Sequence, residues 1–187
     1  MPLSPAQKSW YFDQIKALDP DQAIVRGDPA DDKVHYCASL RTDKSHTRNA
    51  TPEELVHALA IVLLVKRYEY PIESLYHEKD VQHGSTGSSS DEIDLVIEDE
   101  DGLPFAVWEF KSAEDYLGEL ERATKFQLFG TVPLLTAGSP RHVVCATIDP
   151  TPGSPVTLKL RSIDYSQIKD YSRWVAQGSS ALSEFPK

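Results

Sequence analysis

Asp94 lies inside the apolar run Ile93–Ile97, and Glu109 and Lys111 lie inside the run Ala106–Lys111. An unpaired charge is expensive to bury, so residues of this kind need a compensating partner. An Asp, a Glu and a Lys presented by two adjacent strands would make a metal corner with a basic group beside it. Strand side chains alternate between faces. Phe105, Val107, Glu109 and Lys111 therefore share one face, and Ala106, Trp108 and Phe110 the other. Glu109 and Lys111 would project together, ~7 Å apart along the strand. If the two runs pair, Asp94 converges with Glu109. Two carboxylates and a backbone carbonyl, that of Phe110, form an oxygen-rich corner suited to Mg2+ or Mn2+. Such an ion polarises a phosphoryl oxygen and lowers the pKa of bound water. Lys111 would orient that water and stabilise developing negative charge.

Glu-x-Lys alone is a chance-level signal. Its weight comes from the elements around it. Thr51-Pro52-Glu53-Glu54 is a strong helix start, with Thr as N-cap and Pro at the first helical position. The helix should run to about Tyr68 and be buried, because it is apolar nearly all round. A strand is expected over Leu75–His83, then a small polar loop from Gly84 to Ser90 that should be mobile. Ile93–Ile97 and Phe105–Lys111 form a hairpin across the acidic turn Glu98–Gly102. Ala113 to about Phe129 reads as an amphipathic helix carrying Gln127. Arg141–Ile148 and Val156–Ser162 read as strands, and Asp164 to about Ala176 as a last helix. Before all this come a short helix, Pro5–Leu18, a loop over Asp19–Asp32 and a strand over Lys33–Leu40. The order predicts an α/β layout of the α+β type, one mixed sheet flanked by helices. The expected division is an N-terminal extension over 1–50, the core domain over 51–176 and a tail or linker over 177–187.

A structural account of the same residues exists. Asp94 could be satisfied by backbone amides, and Glu109 and Lys111 could be a same-face ion pair. Glu54 could simply favour the helix dipole.

The chain has 187 residues, 40% hydrophobic and 26% charged, enough for one domain with a proper core. Cys37 and Cys145 lie far apart in apolar contexts, without metal-type spacing, and read as thiols in a reducing compartment. The first ten residues lack a signal-peptide pattern. The longest apolar run, Leu55–Val65 interrupted by His57, is short of the ~20 residues that span a bilayer. A cytoplasmic protein without a membrane partner is expected. The net charge of −10 argues against a free-standing, high-affinity DNA binder.

The segment from Thr51 to Gln127 resembles the PD-(D/E)XK nuclease superfamily, and most the N-terminal nuclease domain of type I restriction enzyme R subunits. Thr51–His57 is similar to the family's Pro-Glu-Glu-x-Val-Arg pattern, and Glu78-Lys79 sits on the first strand. Ile93-Asp94-Leu95-Val96 matches its Asp strand and Trp108-Glu109-Phe110-Lys111 its Glu-x-Lys strand. Gln127 falls at the family's helix glutamine. The chain departs from the pattern at His57, where the family has Arg, and at Thr131, where it has Tyr.

The resemblance implies a restriction-endonuclease-like αβββαβ core and a Mg2+- or Mn2+-dependent DNA endonuclease of a restriction-modification system, leaving 5′-phosphate ends. Asp94 and Glu109 would ligate the metal and Lys111 would be the catalytic lysine. Glu54 would hold a metal-bound water, with Glu53 in its place if the register shifts by one. Gln127 would position Lys111, water or the DNA backbone. A motor, specificity or methyltransferase domain or subunit would bring the DNA. Two other functions are open: a catalytically weak or inactive module that keeps the fold and binds DNA or scaffolds a methyltransferase or helicase partner, and an acidic protein that mimics DNA.

Overall fold

The computed structural model describes residues 3–82, 90–178 and 180–182. The expected mobile loop from Gly84, with His83, and the end of the tail lie outside the described residues.

The organising element is helix α2, Pro52–Lys66; helix α1, Pro5–Leu18, precedes it. Thr51 holds an extended backbone, and its hydroxyl accepts the Glu54 N–H at 3.2 Å. Glu53 and Glu54 sit in the first turn, where the helix dipole favours acids. Every residue from Glu54 to Leu64 is buried. The helix therefore has no solvent face over that stretch, as its apolar circumference predicts.

Four short strands lie between α1 and α2: β1 (Val25–Asp28), β2 (Lys33–Tyr36), β3 (Arg41–Thr42) and β4 (Thr47–Asn49). After α2 come β5 (Leu75–Gln82), β6 (Ser90–Glu98), β7 (Pro104–Phe110), β8 (His142–Ile148) and β9 (Leu158–Asp164). The main sheet is ordered β3-β5-β6-β7-β8-β9, and β1-β2-β4 form a second, three-stranded sheet. β5, β6 and β7 pair antiparallel, β7 and β8 parallel, β8 and β9 antiparallel. The parallel step requires a crossover, which the helical segment after β7 supplies. This is the mixed sheet and the α+β, restriction-endonuclease-like layout expected.

Alternate residues of the central strands enter opposite cores. Leu95, Ile97, Ala106, Trp108 and Phe110 pack with α1 and α2. Val96, Val107, Val143 and Cys145 pack with Tyr116, Phe129 and Trp174 on the other side. A sheet covered on both faces buries its strands throughout, and β8 is buried at every position. Trp10, Tyr11, Ile15, Val34 and Tyr36 belong to the α2 core, so the first fifty residues share one core with the rest. The Tyr11 hydroxyl donates to the Ile148 carbonyl at 2.6 Å.

Three elements differ from the sequence reading. The expected helix over Ala113–Phe129 is α3, Tyr116–Arg122, followed by a π-helical segment, Ala123–Leu128, and a short α4, Phe129–Thr131. The last helix, α5, is only Tyr171–Ala176, because Asp164 still pairs with His142 as the end of β9. β1 lies in the stretch read as loop, and β2 stops at Tyr36. Two- to four-residue strands carry too little periodicity to be seen. Both cysteines are free, Cys145 buried and Cys37 half-buried. Among the described residues no helix is long and apolar enough to cross a membrane.

Candidate active site

The site is a fork in the sheet. The β6–β7 ladder runs as far as Leu95↔Trp108. Continuing that register would place Asp94 opposite Glu109. The Phe110 N–H instead donates to Asp94 Oδ2 at 2.6 Å, a side chain standing in for the ladder. On the other side of β6, His77↔Leu95 and Lys79↔Ile93 bracket Glu78 and Asp94. Glu78 has φ 48°, the left-handed region that favours glycine. Backbone of this kind costs about 1–3 kcal/mol and concentrates at functional sites.

Lys111 follows β7, and its N–H is fixed on the Ala146 carbonyl of β8 at 3.0 Å. Its ammonium donates to Glu109 Oε1 at 2.6 Å, Glu53 Oε1 at 2.9 Å and the Phe110 carbonyl at 2.9 Å. Glu53 comes from the first turn of α2, and His57, one turn on, reaches the same place. His57 Nε2 stands 3.6 Å from Asp94 Oδ2. Ligand atoms of Glu53, His57 and Asp94 all lie within 4.8 Å of one another.

Behind this lies a second network. His57 Nδ1 and His77 Nε2 are 3.1 Å apart. Glu54 accepts the Tyr36 hydroxyl, with Arg48 Nε 3.5 Å from its other oxygen. Arg48 also donates to Glu78. Glu54 thus faces Tyr36 and Arg48, while its neighbour Glu53 meets Lys111; the two acids point to different networks. Gln127 sits in the π-helical segment, with its side-chain oxygen buried and without a hydrogen-bond partner. Asp94, Glu109, Lys111 and the Phe110 carbonyl are brought together; Glu54 and Gln127 make no hydrogen bond to Lys111.

Tyr36, Arg48 and His77 were not visible as site residues in the sequence. The available signal was that buried Glu54 and Glu78 need a cation. Nothing in spacing says it is Arg48, delivered by a separate small sheet.

Burial raises the Asp94 pKa well above the carboxylate range, and the nearby Glu109 raises it further. Burial pushes Glu109 up to about 7 against the pull of Lys111. Burial also pushes Glu78 to about 7, helped by Glu54. Burial opposes the charged form of Lys111, but Glu109, Asp94 and Glu53 outweigh it and raise its pKa. Burial holds His57 well below its ordinary value, as does His77, which burial itself holds at about 3. The site is short of positive charge. The Lys111 ammonium already shows that three of its oxygens converge on a cation, and His57 Nε2 is a buried nitrogen without a hydrogen-bond partner. These residues fit a divalent cation.

The raised Glu109 pKa has a measurable sign. The folded state holds the Glu109 proton more tightly than the unfolded chain, so its stabilising contribution is present below the ordinary carboxylate range. It is lost as pH rises through about 7. Glu109→Gln cannot ionise. Its melting temperature relative to wild type should climb from about pH 4.5 to 7 and then level. A flat difference across that window would mean that Glu109 ionises normally.

No curated protein matches the chain. The family model described as type I restriction enzyme R protein N terminus (HSDR_N) matches residues 52–159. The match covers α2, β5 to β8 and the start of β9, more than half the chain, and holds Glu53, Asp94, Glu109 and Lys111 but not Tyr36 or Arg48. With this sheet, this fork and this match, the chain belongs to the family of type I restriction enzyme R protein N termini.

Proposed function

We propose that this restriction-system module is a Mg2+- or Mn2+-dependent DNA endonuclease that hydrolyses phosphodiester bonds. The observation that carries the reading is the buried Lys111 ammonium gripped by Glu109, Glu53 and the Phe110 carbonyl beside Asp94. Asp94, Glu109 and the Phe110 carbonyl would hold the cation. When bound, the cation supplies Lewis acidity and a water of lowered pKa. Lys111 presents fixed positive charge to the phosphate, and the dry surroundings strengthen it. Glu53 steadies the ammonium from α2. Gln127, with an unpartnered buried oxygen, is available to position substrate or water. The net charge of −10 leaves DNA attraction to a motor, specificity or methyltransferase partner.

The test is cleavage of supercoiled plasmid with Mg2+ or Mn2+, with the motor partner supplied. Wild type should cut and Asp94→Asn should not; equal inertness of both would overturn the reading. Because Glu53 and not Glu54 meets Lys111, Glu53→Gln should slow cleavage about tenfold or more, on the scale of a lost charge-assisted hydrogen bond. Glu54→Gln should slow it less and lower the melting temperature instead. Equal rates for the two variants would remove the role given to Glu53.

The second reading is a module of the same fold that scaffolds a methyltransferase or helicase partner without cutting. The acidity of the chain favours it. Titration calorimetry separates the two: a module without a working site shows no Mn2+ binding sensitive to Glu109→Ala.

A further inference from the structure

We propose that His57 is a nitrogen ligand of the cation at this site, which makes the site selective for Mn2+ over Mg2+. The inference rests on the metal-dependent reading above and adds a ligand that reading does not use. His57 is 4% exposed, and its Nε2 has no hydrogen-bond partner. That nitrogen points at Asp94, 3.6 Å from Oδ2. The separation is too long for a hydrogen bond. It suits two donors that share one ion, because neighbouring donors in an octahedral shell with bonds of ~2.1–2.2 Å lie ~3 Å apart and opposite ones ~4.4 Å. Glu53, His57 and Asp94 place one ligand atom each within 4.8 Å of the others.

The other face of the ring supports the same assignment. His57 Nδ1 lies 3.1 Å from His77 Nε2, so one of these nitrogens donates and the other accepts. If His57 Nδ1 donates, its Nε2 turns a lone pair toward Asp94. A ligating histidine usually anchors its other N–H in this way, which fixes tautomer and ring orientation. The opposite arrangement would aim an Nε2–H at Asp94 across a gap too wide to bond. The His57 ring is further held against Phe110, with centroids 5.0 Å apart. Phe110 is the residue whose N–H binds Asp94 and whose carbonyl binds Lys111. Imidazole suits first-row transition ions, whereas Mg2+ keeps to oxygen.

Pulsed electron paramagnetic resonance of the Mn2+-loaded protein tests this without a cleavage assay. Wild type should show nitrogen coupling to Mn2+, which changes isotope signature when histidine is 15N-labelled. His57→Gln should lose the coupling and bind Mn2+ at least tenfold more weakly, with Mg2+ affinity changed less than threefold. If the variant does not fold, the labelled wild-type spectrum decides. Mn2+ bound in an all-oxygen shell would overturn the role of His57 and leave the nuclease reading standing. No Mn2+ binding by wild type would overturn both.

Discussion

Replacing Lys111 with methionine should lower the melting temperature by ~6–20 °C at pH 8 and abolish cleavage. Lys111 is 7% exposed, and its ammonium is the cation bonded to both Glu109 and Glu53. Breaking a buried ion pair by removing one partner costs about 3–5 kcal/mol, because the other charge stays buried without compensation. In a domain of this size each kcal/mol shifts the midpoint by ~2–4 °C. The loss should shrink toward pH 5. There Glu109, already pushed up to about 7 by burial, takes up a proton and no longer needs the ammonium. The double variant Lys111→Met, Glu109→Gln should recover part of the stability at pH 8, since it removes the orphaned charge as well. Melting curves of both variants at pH 5 and pH 8 check this. A shift below 2 °C for Lys111→Met at pH 8 would show that Lys111 does not hold the acids together.

Asp94→Asn should reduce metal-dependent cleavage by ~10³-fold or more, the scale of losing a group that acts on charge formed in the transition state. Its effect on stability should run the other way. Asp94 is a largely enclosed carboxylate beside Glu109, and burial and that neighbour both raise its pKa. Asparagine keeps an oxygen for the Phe110 N–H and removes the charge. Above pH 7 the variant should melt at or above the wild-type temperature. Asp94→Ala lacks that oxygen and should be less stable than Asp94→Asn by about 1–3 kcal/mol, the cost of an unsatisfied buried amide. Stability sacrificed for function is the usual sign of a working site. A substantial fall in melting temperature for Asp94→Asn above pH 7 would place Asp94 among structural residues instead.

The strand that carries Glu109 and Lys111, the strand that carries Asp94 and the capped helix before them were all legible, because each has a local signature. Alternation in Ala106–Lys111, the hairpin turn and the Thr51-Pro52 start depend only on near neighbours. The observed bonds also satisfy the structural account of the same residues. Asp94 accepts a backbone amide and Glu109 pairs with Lys111. Those bonds do not neutralise the site, since Asp94, Glu109 and Glu78 all keep raised pKa values. The long helix after β7 was only half legible. Its α-period gives way to a π-helical turn at Ala123–Leu128, and such turns obey packing against β7 and β8 more than propensity.

Residue types and spacing were sufficient for the fold class and the acid-and-lysine constellation, because these follow from the 2.0 and 3.6 periods and from the cost of burying charge; the family came from the resemblance of its motifs. They put Glu54 first, with Glu53 in its place only if the register shifts by one, and could not decide which of the two meets Lys111. Adjacent residues on a helix differ by ~100° in direction, and only the docking of α2 against the sheet decides which acid meets Lys111. Tertiary structure likewise brought Arg48 and Tyr36 from the second sheet to Glu54 and Glu78, and set His57 between Asp94 and His77. Those contacts join residues up to 37 positions apart in the chain. Their geometry exists only once two cores have closed on one sheet.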